Sequence, residues 1–321
     1  MNKKLIIFGP WCGEFCYELS WWIPEIRKRR NEDFKDYDAF AVGFDGRKIL
    51  YKDFTDKYFA YPNDLEDTLK YPATCGEHIN GKDIIPNNLK EYVNFIGQPY
   101  LDQYDEILLY QPNRNNFTPR VTMAENPYGE YYHYNASDEV TSLVKNKINF
   151  NNDRETVAIM ARIRYRQGNV CKLDWNPDHW KMFIDMLTNQ LKVNVVMIGI
   201  PRKDGSSSGG SLIFENSDYV KSIIFSGPDS VEQQIALLQQ TKCSVYGASG
   251  TAVFPFFIKN AASFTQQTIE EGFRLKFQWE RNLTNNLELI EVFDAYKNWD
   301  LYNAPAEELY NKFKNFYKRL F

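Results

Sequence analysis

The chain has 321 residues, 43% of them hydrophobic and 25% charged, with a formal net charge of −4. This is an ordinary globular balance, long enough for one large domain or two of common size. The acidic balance argues against a broad nucleic-acid surface, and no apolar run approaches the roughly 18 residues of a membrane span.

Residues 4–9 predict a first strand. Its apolar part, Leu5 to Phe8, is too short for the core of a signal peptide, about 7–15 residues, and a cytoplasmic location is expected. The stretch GPWCGEFCYELSWW, residues 9–22, follows as a glycine-punctuated turn rich in tryptophan, with Glu14 and Glu18 inside it. A helix is predicted over 18–30, with Pro24 inside it as a late start or a kink and Arg27-Lys-Arg-Arg30 as its cationic end. Strands are predicted at 39–43 and 106–110, and helices at 88–95 and 138–147. Residues 45–86 are turn-rich and give no clear element.

The second half alternates more cleanly. A strand over 156–161 precedes a helix over 177–190, which opens on Pro177 and carries Trp180, Phe183, Ile184 and Leu187 at helical spacing. Strands at 193–199 and 221–225, a helix at 230–240, a strand at 243–246 and a short helix at 250–257 follow. An apolar segment at 289–292 and a helix at 305–320 complete the chain. Largely apolar strands alternating with helices imply a parallel sheet covered on both faces. The expected fold is α/β, two Rossmann-like doubly wound domains with a cleft between them, joined near the asparagine-rich residues 149–153.

In such sheets ligands bind beyond the carboxyl ends of strands. After the strand at 156–161 come Arg162, Arg164 and Arg166 at alternate positions. Arginine is a planar, bidentate binder of phosphate. After the strand at 243–246 comes Gly247-Ala-Ser-Gly-Thr-Ala252, whose small residues let a phosphate reach the free amides of a helix start. Singly, the first reads equally as a solvated edge and the second as a helix cap. Together they point to a diphosphate ligand. The Gly/Ser-rich residues 205–211 read as a surface loop or a flap over that ligand. P-loop and Gly-x-Gly-x-x-Gly motifs are missing. Asp36-Tyr-Asp38 has the spacing of a metal pair but precedes its strand, and reads as a solvated turn. The scattered Cys12, Cys16, Cys75, Cys171 and Cys243 make no disulfide framework, and His78, His133 and His179 form no cluster.

These residues carry a resemblance. Arg162-x-Arg164, Trp175 and Trp180 around a helix start, Ile198-Gly199, the helix QQIALLQ at 233–239 and Ala248-Ser-Gly-Thr251 resemble, in order and spacing, the GT-B glycosyltransferases, heptosyltransferase-like and fucosyltransferase-like members above all. The likeness covers roughly residues 156–282, with GEFCYEL after the first strand adding to it. It implies an acceptor domain over 1–150, a nucleotide-sugar domain over 151–303, and a final helix, 304–321, packing back across the junction. It implies further that Arg162, Arg164, Gly199, Ser249, Gly250 and Thr251 hold the donor, with Glu270 or Glu271 on the ribose unless these are merely solvated acids. Trp11 and Gly13 would meet the acceptor, although core packing is the stronger reading for Trp11, Trp21 and Trp22. Glu14 would be the general base of an inverting transfer and Glu18 its partner on the same helix face. Both acids could instead serve the helix dipole. No cofactor or metal is expected, and the partners implied are a nucleotide-sugar donor and a glycan or small-molecule acceptor. A DNA-base-modifying transferase, a non-catalytic nucleotide or sugar binder, and an epimerase or hydrolase stay open as alternatives.

Overall fold

In the computed structural model Lys4–Phe8 form strand β1, buried on both faces. Leu5 and Ile7 pack with Phe40, Val42, Val93 and Ile96, while the Phe8 ring meets Phe34, Phe54 and Tyr110 on the opposite face. The structure describes residues 3–13, 15–62, 87–112, 129–163, 165–166, 169–170, 174–199, 210–267, 287–294, 296–297, 300–301 and 304–320.

The chain divides into two compact units, Met1–Tyr132 with Ser226–Val231, and His133–Phe225 with Glu232–Phe321. In the first, β2 (Asp38–Gly43), β3 (Lys57–Ala60) and β4 (Glu106–Tyr110) join β1 in a parallel sheet of order β3-β2-β1-β4. After β1 the helical run starts earlier than the sequence suggested. It passes from α1 (Phe15–Tyr17) through a π turn (Glu18–Trp22) into α2 (Ile23–Glu32). Pro24 falls in the first turn of α2, where a missing N–H costs little. Arg27 departs from the predicted cationic end. It is buried, donates from Nε and Nη2 to the Asp53 carboxylate at 2.7 and 3.1 Å, and from Nη1 to the Glu130 carbonyl. Helix α3 (Asn87–Gly97) supplies Val93 and Ile96 to the other face.

The second unit begins with α4 (Asp138–Lys147), capped by the Ser137 hydroxyl, which accepts from Val140 N. The unit therefore starts ahead of residues 149–153. Side chains of α6 (Ser230–Gln240) hold α4: Gln239 accepts from Ala136 N, Gln233 from Lys147 Nζ, and Gln240 donates to Thr141 O. The strands are β5 (Thr156–Met160), β9 (Asn194–Gly199), β11 (Val220–Ile224), β12 (Cys243–Tyr246), β13 (Ser263–Gln267) and β14 (Ile290–Asp294). They form one parallel sheet of order β11-β9-β5-β12-β13-β14. Between β5 and β9 lie three two-residue strands, β6 (Arg162–Ile163) and the hairpin of β7 (Tyr165–Arg166) with β8 (Asn169–Val170). Counted in chain order, the six main strands run 3-2-1-4-5-6, the doubly wound order of dinucleotide-binding domains.

Helix α5 (Pro177–Met186) is capped by Asn176, whose side chain accepts from Asp178 N at 2.8 Å, and Lys192 ends the following π turn in the left-handed region at φ 58°. The last helix, α7 (Ala306–Arg319), packs on α5 and the sheet. Its Phe313 ring lies 5.7 Å from both Phe183 and Phe264. Three buried rings from three elements leave no route for collapse if one is deleted. Phe313→Ala is expected to lower unfolding free energy by about 3–5 kcal/mol, measurable by denaturant titration.

Candidate functional site

Strand order decides where a site can form. In the second unit β5 and β12 are neighbours whose chains leave in opposite senses, so a crevice opens past their carboxyl ends. The two segments expected to meet phosphate, beginning at Arg162 and at Gly247, follow these strand ends. Gly247 N donates to Met160 O at 2.9 Å, which keys the end of β12 to the end of β5. A β-carbon on Gly247 would lie 3.3 Å from the Arg162 amide nitrogen and 3.2 Å from the Trp180 ring. Glycine thus eases the close approach of the two segments, since any side chain would push one of these neighbours back by a few tenths of an ångström.

Beyond Gly247 the backbone enters a 3-10 helix, Gly250–Phe257, whose first internal bond is Ala252 N to Ser249 O at 3.0 Å. The amides of Gly250 and Thr251 precede that bond and donate to no acceptor among the described residues. The Ser249 and Thr251 hydroxyls are 2.7 Å apart, and Thr251 Oγ1 also contacts Met160 Sδ at 3.1 Å. Gly250 is exposed and its two hydroxyl neighbours are half-buried, so an anion can reach these groups.

Arg162 lies in β6, which pairs antiparallel with β10 (Gly210–Ser211). The end of the Gly/Ser-rich loop thus returns to the arginine segment, and Leu212 N donates to Ala161 O at 2.7 Å. Gly199 ends β9, but its packing is toward β11. A β-carbon there would stand 2.5 Å from Ile224 Cγ1. Among the described residues no three of His, Cys, Asp and Glu gather as a metal site. Glu14, Arg164, Glu270 and Glu271 lie outside the described residues.

In the first unit the corresponding crevice is between β1 and β4. Gly9 there takes φ +131° and donates to Tyr110 O at 2.9 Å; a β-carbon would meet Val42 O at 2.7 Å. Trp11 is fully buried and stacks on Trp22 at 5.7 Å and 16°, so its ring is a core element. Gly13 lies against that ring, with 2.5 Å from a would-be β-carbon to the indole. Glu18 is fully buried in the π turn. Its Oε1 accepts from the Tyr51 hydroxyl at 2.6 Å and its Oε2 from Arg47 Nη1. Burial raises the Glu18 carboxyl above its ordinary range, opposed by the Arg47 charge and the Tyr51 hydroxyl. For Arg47 burial pulls the other way, and the Glu18 charge holds it protonated.

Sequence reading missed Arg47. A basic residue after Gly46 in a turn gives no sign of an acid far back in the chain. Only the burial of Glu18 at the start of the π turn, against the turn after β2, makes them partners.

Glu18→Ala would leave Arg47 uncompensated in a largely buried site, an expected loss of about 3–5 kcal/mol. Because the folded carboxyl binds its proton more tightly than the unfolded one, this group's contribution is fully present below the unfolded value and is lost as pH rises through the raised folded value. Glu18→Gln should remove that decline, read as the difference between two stability–pH curves.

No family model matches the sequence, and no curated protein does. Solved structures do match. The Escherichia coli ADP-heptose LPS heptosyltransferase II aligns over 98% of this chain and 99% of its own, with TM-score 0.53 and 10% identity. A glycosyl transferase family 9 protein from Veillonella parvula aligns over 99% and 98%, with TM-score 0.55 and 9% identity. What is shared at such identity is the fold, and it is shared along almost the whole chain: this is the GT-B glycosyltransferase fold.

Proposed function

We propose that the protein is a glycosyltransferase that moves a sugar from a nucleotide-sugar donor to a hydroxyl of a glycan or other acceptor. The observation that carries this reading is the pair of amides at Gly250 and Thr251 that meet no acceptor among the described residues, on the segment after β12 whose Gly247 closes onto the Arg162 backbone at the switch point of the second sheet. Free amides at a helix start, hydroxyls and a guanidinium are the groups that hold a diphosphate. The ADP-heptose named for the E. coli protein makes ADP the first diphosphate to try.

In the proposed reaction a carboxylate of the first unit takes the proton of the acceptor hydroxyl. The oxygen then bonds to the anomeric carbon as the bond to the nucleoside diphosphate breaks, inverting that carbon. Glu14 is the proposed base. In sequence it comes six residues after the end of β1, and ligands approach an open parallel sheet past the carboxyl ends of its strands. Glu18, with both oxygens engaged, is assigned a positioning role. Leaving-group charge would fall on Arg162, Arg164 and the 3-10 helix start, so no metal is required in this scheme.

The test is thermal stability with ADP, GDP, UDP, CDP and dTDP in EDTA. A diphosphate at 100 times its dissociation constant is expected to add about 2.7 kcal/mol to folding. Arg162→Ala should abolish most of that shift. Failure of every nucleotide to stabilise the protein would overturn the reading. A shift that needs a divalent ion would overturn its metal-free form.

A further inference from the structure

Arg47 is more than the counter-ion of Glu18. It lies just past the carboxyl end of β2, after Gly46, which takes φ +78° and stands too close to Ser230 to carry a side chain. The turn is fastened by Val231 N donating to Gly46 O. The guanidinium is fixed on three sides. Nη1 is bound to the buried Glu18 carboxylate, and the Phe44 and Phe15 rings lie 4.3 and 5.1 Å from its central carbon. Tyr58 backs Phe44, donating to its carbonyl at 2.6 Å.

That clamp uses only part of the group. An arginine has five N–H donors in a fixed plane. The only hydrogen bond Arg47 makes among the described residues is the one to Glu18. None of its nitrogens is a buried atom lacking a partner, and the side chain keeps 17% of its surface accessible. Its remaining donors therefore face solvent, immobilised and in the plane that matches an oxyanion. If neutralising Glu18 were the only task, a lysine would serve equally well, and two aromatic faces would not be needed to hold the plane.

We propose that Arg47 binds an oxyanion of the substrate taken by the first unit, a carboxylate or phosphate carried by the acceptor, with Glu18 as the residue that positions the guanidinium. The acceptor assignment rests on the glycosyltransferase reading; the anion site does not. Phe15 places the loop that follows β1 against the same guanidinium, so an acid group held here would lie beside the segment that bears the proposed base.

The test is arginine side-chain NMR on the full chain. The Arg47 Nε–H resonance is assigned by its loss in Arg47→Lys, or by its displacement in Glu18→Gln should the lysine variant not fold. It is then titrated with inorganic phosphate and, separately, with acetate, at ionic strength held constant by sodium chloride. A saturable shift with either anion is expected, and which anion saturates first tells phosphate from carboxylate. Glu18→Gln removes the negative charge beside the guanidinium, so the midpoint should move to lower anion while the Arg47 Nε–H line broadens as the plane loses its anchor. A resonance that does not move, or drifts linearly and equally with both anions, overturns the proposal. Nucleoside diphosphate binding is read independently through Arg162. Should no nucleotide bind while Arg47 takes its anion, the transferase reading falls and the anion site stands.

Discussion

Parallel pairing of β5 with β12 is the constraint on which the second unit's site depends. Register pairs Met160 with Tyr246, so both strands end at the same level, and Gly247 N closes onto Met160 O. A larger residue at Gly247 would press on the Arg162 backbone and the Trp180 ring and push one of them back by a few tenths of an ångström. Trp180, fully buried in α5, gives that glycine a rigid floor. Among the described residues the amides of Gly250 and Thr251 meet no acceptor, because a 3-10 helix start has no earlier carbonyl to receive them. Chemistry at this edge follows from sheet topology first and from residue choice second.

Much of this was legible in the sequence. Apolar runs such as Leu5 to Phe8 and Val195 to Ile198 are long enough to be buried on both faces and mark parallel strands, and the small-residue segment after 243–246 marks its own position at a strand end. β3 was missed because Lys57–Ala60 is an edge strand, only half-buried and opening on an exposed lysine. β13 was missed because Ser263, Thr265 and Gln266 are buried polar residues that hide its strand character. The π turn was invisible for a different reason. A bulged turn differs from an α-helix by one hydrogen-bond offset, which residue types do not mark, and Glu18 lies buried at its start.

The two units spend polar groups differently. The second presents the Ser249 and Thr251 hydroxyls and two amides that meet no acceptor among the described residues past the carboxyl ends of its strands. The first buries a carboxylate, a guanidinium and a phenol together. Such a cluster contributes less to stability than an apolar core of equal volume would, and it fixes one geometry. It joins the turn after β1 to the turn after β2, two segments that sheet hydrogen bonds alone would leave independent.

The segment Ser226–Val231 belongs to the first unit although the chain on both sides of it belongs to the second. The amino-terminal half of the protein is therefore not a self-sufficient piece of sequence. A fragment ending at Tyr132 would lack the stretch that presses on Gly46 and receives its carbonyl, and with it one support of the turn that carries Arg47. On the ribosome the same dependency sets an order. The turn after β2 waits for its last neighbour until the chain has run through β5, β9 and β11, three of the six main strands of the second sheet.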